Sequence, residues 1–179
     1  LGDISLRLAY EDGTPYISLG TTCYVWELQS EEQVRQTLHT LAQSPFNKIR
    51  FCVFPKHYVY NFREPFAYPY EGTPMDSRVL TEANFASFDG HAEGNNWNFE
   101  RFNPVYFLRI ETCIAALRDL GIQADVILFH PYDRWGFSCM PREADELYLR
   151  YVTARFASFR NVWWSLANEY DLMQDKTLS

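Results

Sequence analysis

Ala124-Asp125-Val126-Ile127-Leu128-Phe129 is the stretch on which the fold turns. An apolar run this short is not long enough for a helix and reads as a strand buried on both faces of a sheet. Immediately upstream, Asn103-Pro104 offers an N-cap followed by proline at the first helical position. Phe107, Ile110, Ile114 and Leu117 then recur at helical spacing, and Gly121 supplies the stop. Downstream, Pro141, Glu143, Asp145 and Glu146 open another helix with Leu147, Tyr151 and Ala154 turned inward, and 162–167 (Val-Trp-Trp-Ser-Leu-Ala) reads as a further strand. Further back, 49–54 (Ile-Arg-Phe-Cys-Val-Phe) is a strand ended by Pro55. Ser30-Glu31-Glu32-Gln33 opens a helix over 31–43 with the pattern of a capping box, and its stripe is Val34, Leu38 and Leu41. Asp12-Gly13 between extended stretches predicts a β-hairpin over 4–19, whose second arm, Ile17 onward, runs on to Thr22 as the first strand.

The order is therefore a hairpin followed by β-α-β-α-β-α-β, which means crossover units and a parallel sheet in an α/β fold. Two architectures accept four such strands: a small doubly wound open sheet, or the first half of an eightfold barrel. Gly20-Thr21-Thr22 after the first strand carries one glycine, so the dinucleotide fingerprint is missing. A whole (β/α)8 TIM barrel takes about 250 residues, so 179 residues hold only a part, here strands 1–4. Residues 55–102 show no sustained period and are crowded with Tyr, Phe and Trp. A long aromatic loop of this kind in a compact domain is usually functional.

Composition narrows the function classes. With 47% hydrophobic residues the chain has enough apolar side chains for one sizeable core. A net charge of −7 argues against a nucleic-acid partner. No apolar run approaches the roughly 18 residues of a membrane span. The scattered Cys23, Cys52, Cys113 and Cys139 form no CxxC and read as free thiols of a reducing, cytoplasmic compartment, although Leu1 leaves a processed N-terminus open. The histidines His39, His57, His91 and His130 show no HxH or HExxH spacing, so no metal and no cofactor is expected. Gly-x-Ser-x-Gly is absent. Lys56 is the one lysine at a strand end, where a Schiff base would need it.

In parallel α/β folds the working residues lie just past the carboxyl ends of the strands. Those ends gather Trp26 and Glu27 (first strand), Arg50, Lys56 and His57 (second), His130, Tyr132, Asp133, Arg134 and Trp135 (third), and Asn168, Glu169 and Asp171 (fourth). Carboxylates, amides and imidazoles suit sugar hydroxyls, and flat rings such as Trp26 and Trp135 suit the apolar face of a pyranose. Arg50 inside an apolar strand needs a partner, and Glu27 or Asp125 could supply one. Asp133 and Arg134 could pair with each other and hold the loop, and His130 could be a satisfied core histidine.

Three segments carry a resemblance. Asp12-Gly13-Thr14-Pro15 with Leu19-Gly20-Thr21-Thr22, the run from Phe129 to Phe137, and the run from Val162 to Asp171 resemble the apiosidase-like group of glycosidases, over residues 12–173. Phe46-Asn47-Lys48-Ile49-Arg50-Phe51 and the Asn168-Glu169 pair resemble the wider clan A, family-5-like retaining glycoside hydrolases. The resemblance implies a TIM-barrel fold with Glu169 as acid/base, Asn168 on the sugar 2-hydroxyl, Arg50 beside the nucleophile, and His130 at the sugar. It also implies a nucleophilic glutamate beyond residue 179. The substrate-binding set expected from both arguments is Asn168, His130, Arg50, Trp26, Trp135, Asp133 and Tyr132. The partner is then a carbohydrate, and the chain by itself is expected to be inactive and to self-associate or to need a C-terminal half. The alternative is a non-catalytic carbohydrate-binding or assembly module on a barrel-like scaffold. An open-sheet domain with an unrelated ligand is a third reading.

Overall fold

A computed structural model describes residues 8–58, 61, 64–75, 94–173 and 176. The elements in chain order are β1 (Gly20–Thr22), α1 (Glu31–Ala42), β2 (Lys48–Cys52), β3 (Tyr70–Thr73), β4 (Asn96–Phe102), α2 (Pro104–Asp119), β5 (Gln123–Phe129), α3 (Arg142–Phe156) and β6 (Val162–Ala167). The strands called first to fourth above are β1, β2, β5 and β6. They pair in parallel in the order β1-β2-β5-β6. The order follows the chain, without the reversal that marks a doubly wound sheet.

The helix boundaries follow from local chemistry. The Ser30 hydroxyl accepts from the Gln33 N–H at 3.3 Å and caps α1, and Asn103 Oδ1 accepts from the Val105 N–H at 3.1 Å ahead of Pro104. Gly121 ends the α2 turn at φ +74°, where a side chain would be strained. The α2 stripe of Phe107, Ile110, Ile114 and Leu117 is buried as its spacing predicts. The α3 stripe is not the one expected: Ala144, Tyr148, Val152 and Phe156 face the core, while Leu147 and Ala154 face outward. Both sets fit a helical period. The large rings win because Tyr148 stacks on Phe54 at 4.3 Å and donates to the Leu128 carbonyl at 2.9 Å.

The sheet has two unlike faces. Ile49, Phe51, Val53, Ala124, Val126 and Leu128 alternate onto the helix side and form the apolar core with α1, α2 and α3. The other face carries Lys48, Arg50, Asp125, Trp163 and Ser165: Lys48 pairs with Asp125 at 3.6 Å, and Ser165 donates to Asp125 at 2.7 Å. Trp164 and Leu166 point to the helix side at the β6 edge, where no described helix follows, and they stay 43% and 61% exposed.

Two expectations need correction. The connection over 55–102 is not without regular structure, because β3 and β4 pair antiparallel inside it with a register shift at Tyr70/Glu71. Their aromatic residues obscured the period: Tyr70 packs on Phe137 at 5.9 Å and Phe102 edge-on to Phe107 at 5.8 Å, which tethers the sheet to the core rather than presenting alternate faces to water. The first strand is shorter than expected, since Ile17 to Leu19 lie outside β1 and Ile17 is 80% exposed. At the predicted hairpin, residues 4–7 lie outside the described residues. From Leu8 to Tyr16 a tight turn closes at Gly13 (φ +84°), with one Ala9–Pro15 bridge.

Candidate active site

Past the carboxyl ends of β1, β2, β5 and β6, four chain segments converge on Glu169. The Asn168 N–H donates to the Phe129 carbonyl at 2.9 Å, so the turn after β6 is laced to the end of β5. That turn puts Glu169 at φ 51°, ψ 53°, and it is the one non-glycine residue with positive φ among the described residues. A left-handed conformation costs about 1–3 kcal/mol for such a residue and clusters at functional sites. Glu169 is exposed. Its Oε2 accepts from Asn168 Nδ2 at 2.7 Å and from the Tyr132 hydroxyl. Burial, then the bond to Glu169, pushes Tyr132 up to about 12, so it stays protonated and remains the donor.

Behind Tyr132 lies a cation. Lys56 is 5% exposed, with its Nζ 3.5 Å from the centre of the Tyr24 ring and 3.9 Å from that of Tyr132. Burial pulls its pKa down, against the pull of Cys52 and Glu169. Read from sequence, Lys56 has only a place at a strand end; its seat between two rings depends on the segments after β1 and β5 meeting around it.

His130 is buried beside this group, and its Nε2 lies 3.2 Å from the Phe54 carbonyl. A carbonyl only accepts, so the ring carries its proton on Nε2. Burial holds its pKa down at about 4, so the ring is neutral. Arg50 projects from the polar face of β2. Neither partner considered for it serves: Asp125 is engaged by Lys48 and Ser165, and Glu27 is buried with its backbone carbonyl held by Arg109 Nε at 3.1 Å. Arg50 Nε is buried and unpartnered among the described residues.

Three of the expected sugar contacts are corrected. Trp26 is 4% exposed and packs edge-on against Phe51 at 6.0 Å, so it is core rather than platform. Trp135 has no exposed surface; its indole N–H donates to Glu64 Oε2 at 2.9 Å. Asp133 is also buried, accepting from the Trp135 and Ser138 N–H groups at 2.6 Å each, and burial raises its pKa to about 6. Asp133 folds its own loop instead of touching ligand. It does not pair with Arg134, whose guanidinium meets Glu64 and lies 3.4 Å from His57 Nε2. Arginine only donates, so that nitrogen accepts, and burial and Arg134 together hold His57 down at about 4. Glu64 was not singled out in the sequence, yet it receives Arg134, Trp135 and Tyr68. Its charged partner Arg134 and the Trp135 indole come from the loop after β5, and only Tyr68 is near it in sequence. The β3–β4 insert completes the support, with Asn95 and Trp97 donating to the Arg134 and Trp135 carbonyls at 2.8 and 2.7 Å.

The open part of the site is thus Glu169, Asn168, Tyr132 and Arg50, backed by Lys56 and His130. Among the described residues no group of three His, Cys, Asp or Glu side chains is placed to hold a metal ion.

A family model for the apiosidase-like catalytic domain matches residues 5–178. The chain belongs to the apiosidase-like family. Among solved structures, this apiosidase-like chain is similar to a protein of Bacteroides vulgatus ATCC 8482 provisionally described as a glycoside hydrolase, with 44% identity and a TM-score of 0.81. That match covers 94% of this chain and 32% of the other, so the chain spans about a third of that relative's length. A second Bacteroides vulgatus structure, described as a glycoside hydrolase family 5 protein, shares the fold at 15% identity and TM-score 0.59, over 91% of this chain and 30% of that one. No curated protein matches the chain.

Proposed function

We propose that this apiosidase-like chain forms the first half of a (β/α)8 catalytic barrel that hydrolyses O-glycosidic bonds with retention of configuration, with Glu169 as the acid/base. The observation that carries this reading is the strained Glu169 after β6, with Oε2 held by Asn168 and Tyr132 and no partner for Oε1 among the described residues. A carboxyl fixed through one oxygen and open at the other is what proton delivery to a departing sugar oxygen needs. Further support comes from the sequential parallel strand order, which suits a barrel wall, and from the family match.

In this mechanism Glu169 protonates the leaving oxygen while a nucleophilic carboxylate attacks the anomeric carbon and forms a glycosyl ester. Glu169 then takes a proton from water as it hydrolyses that ester. The nucleophile lies beyond residue 179. Of the other carboxyls near strand ends, Glu27 and Asp133 are buried, and Asp171 is exposed two residues past Glu169 on the same turn. Arg50, on the polar face of β2 with its Nε unpartnered among the described residues, holds that nucleophile ionised. Asn168 and Tyr132 contact the sugar from the rim, while His130 is part of the floor beneath them. The carbohydrate is the partner, and residues 1–179 alone are inactive.

The test uses the full reading frame that contains residues 1–179, assayed on aryl and alkyl glycosides. Glu169→Gln should lower turnover by about 10²–10⁴-fold on alkyl glycosides, whose leaving groups need a proton. It should lower turnover far less on activated aryl glycosides, and NMR of the first-formed sugar should show the original anomer. Equal losses on both substrate types, or unchanged turnover, refute the role of Glu169.

A further inference from the structure

Lys56 has no part in the mechanism above, yet it is placed as an element of it. Its ammonium lies between two tyrosine rings, 3.5 Å from the centre of Tyr24 and 3.9 Å from that of Tyr132, and no ion-pair partner meets it among the described residues. A desolvated cation against aromatic faces is attracted by the ring quadrupoles and favours one orientation of each ring. One of those rings carries the hydroxyl that donates to Glu169 Oε2. The chain of contact is therefore cation, ring, hydroxyl, carboxylate, drawn from the ends of β1, β2, β5 and β6.

We propose that Lys56 is a positioning residue for Glu169: it clamps the Tyr132 ring so that the hydroxyl holds Oε2. The proposal rests on reading Glu169 as the acid/base and adds a residue that this reading does not require. The groups that share the field are identifiable element by element. Tyr24 follows β1, and Arg50 and Cys52 belong to β2. His130 and Tyr132 follow β5, and Glu169 and Asp171 follow β6. Among these, Arg50 is the other fixed cation; it reaches no hydrogen-bond partner through Nε, and Lys56 alone lies over the Tyr132 ring. Cys52 is fully buried, and burial holds its thiol protonated, so it supplies no countercharge.

Two variants separate charge from shape. Lys56→Met keeps the stem and removes the charge, whereas Lys56→Arg keeps a cation over the rings. In the full reading frame, Lys56→Met should lower kcat approximately tenfold with little change in KM, because the substrate is still bound while the carboxyl is no longer held in place, and Lys56→Arg should restore kcat. Wild-type kcat in Lys56→Met, or a loss that falls on KM instead, overturns the proposal. Absence of any turnover by the unmodified protein overturns the acid/base reading instead, and the catalytic role of Lys56 with it.

A second measurement does not depend on turnover. The Lys56 amine, followed by 15N NMR and assigned by its loss in Lys56→Met, should titrate at lower pH in Glu169→Gln than in the unmodified protein, because a negative neighbour is gone. The same midpoint in both proteins overturns the proposal even where turnover is present.

Discussion

Glu27→Gln probes the most enclosed carboxyl of the chain. Glu27 has no exposed surface, and among the described residues its two oxygens find no hydrogen-bond partner beyond a marginal approach to the residue's own backbone N–H. Burial raises its pKa well above the ordinary 4.5, and the Arg109 charge only partly opposes this. An acid with a raised folded pKa binds its proton more tightly in the folded state. Stability is therefore highest below the unfolded value and is lost as pH climbs toward the folded one. Within that window each pH unit removes about 1.4 kcal/mol. Glutamine has the same shape and does not titrate, so the variant should match the wild type near pH 4 and gain on it by about 1.4 kcal/mol for each pH unit between there and the raised folded value. Urea unfolding followed by far-UV circular dichroism, with equal m values in both proteins, reads the difference. A gap that stays constant with pH, or a variant less stable than wild type at the upper pH, refutes the reasoning.

Three further outcomes follow from single positions. Gly72→Ala would place a Cβ 2.1 Å from the Asn96 carbonyl at a φ of +141°, so the β3–β4 sheet should be lost at a cost of about 3 kcal/mol or more, and an unchanged melting temperature would contradict this. Asp133→Ala strands the Trp135 and Ser138 N–H groups, each bonded at 2.6 Å, and should cost about 3 kcal/mol with loss of their protection in hydrogen exchange; retained protection argues against it. Residues 1–179 produced alone should self-associate through the β6 edge, where Leu166 is 61% exposed, and Leu166→Lys should shift sedimentation toward the monomer; a dispersed wild-type monomer sinks this reading.

The repeating elements were legible because their causes are local. Ser30 and Asn103 cap helices that begin where their side chains reach, and the α2 stripe is buried residue for residue. The α3 stripe was displaced because two sets of residues satisfy the same period, and only the Phe54 ring opposite Tyr148 chooses between them. The Asn168–Glu169 pair could be found from its position after an apolar strand. Trp26 and Trp135 could not be sorted into platform or core, since an indole suits both and burial is settled by distant neighbours.

Periodicity, caps and short apolar runs specified the order of the four parallel strands and three helices, though not the β3–β4 pair, and with it the rim on which polar side chains gather, because those signals act over a few residues. Which of these side chains reach the open rim was decided by contacts between segments far apart in the chain. Lys56 between Tyr24 and Tyr132, Glu64 under Arg134 and Arg50 with its Nε unpartnered among the described residues all depend on strand pairing that brings separate ends together, and no local pattern encodes it.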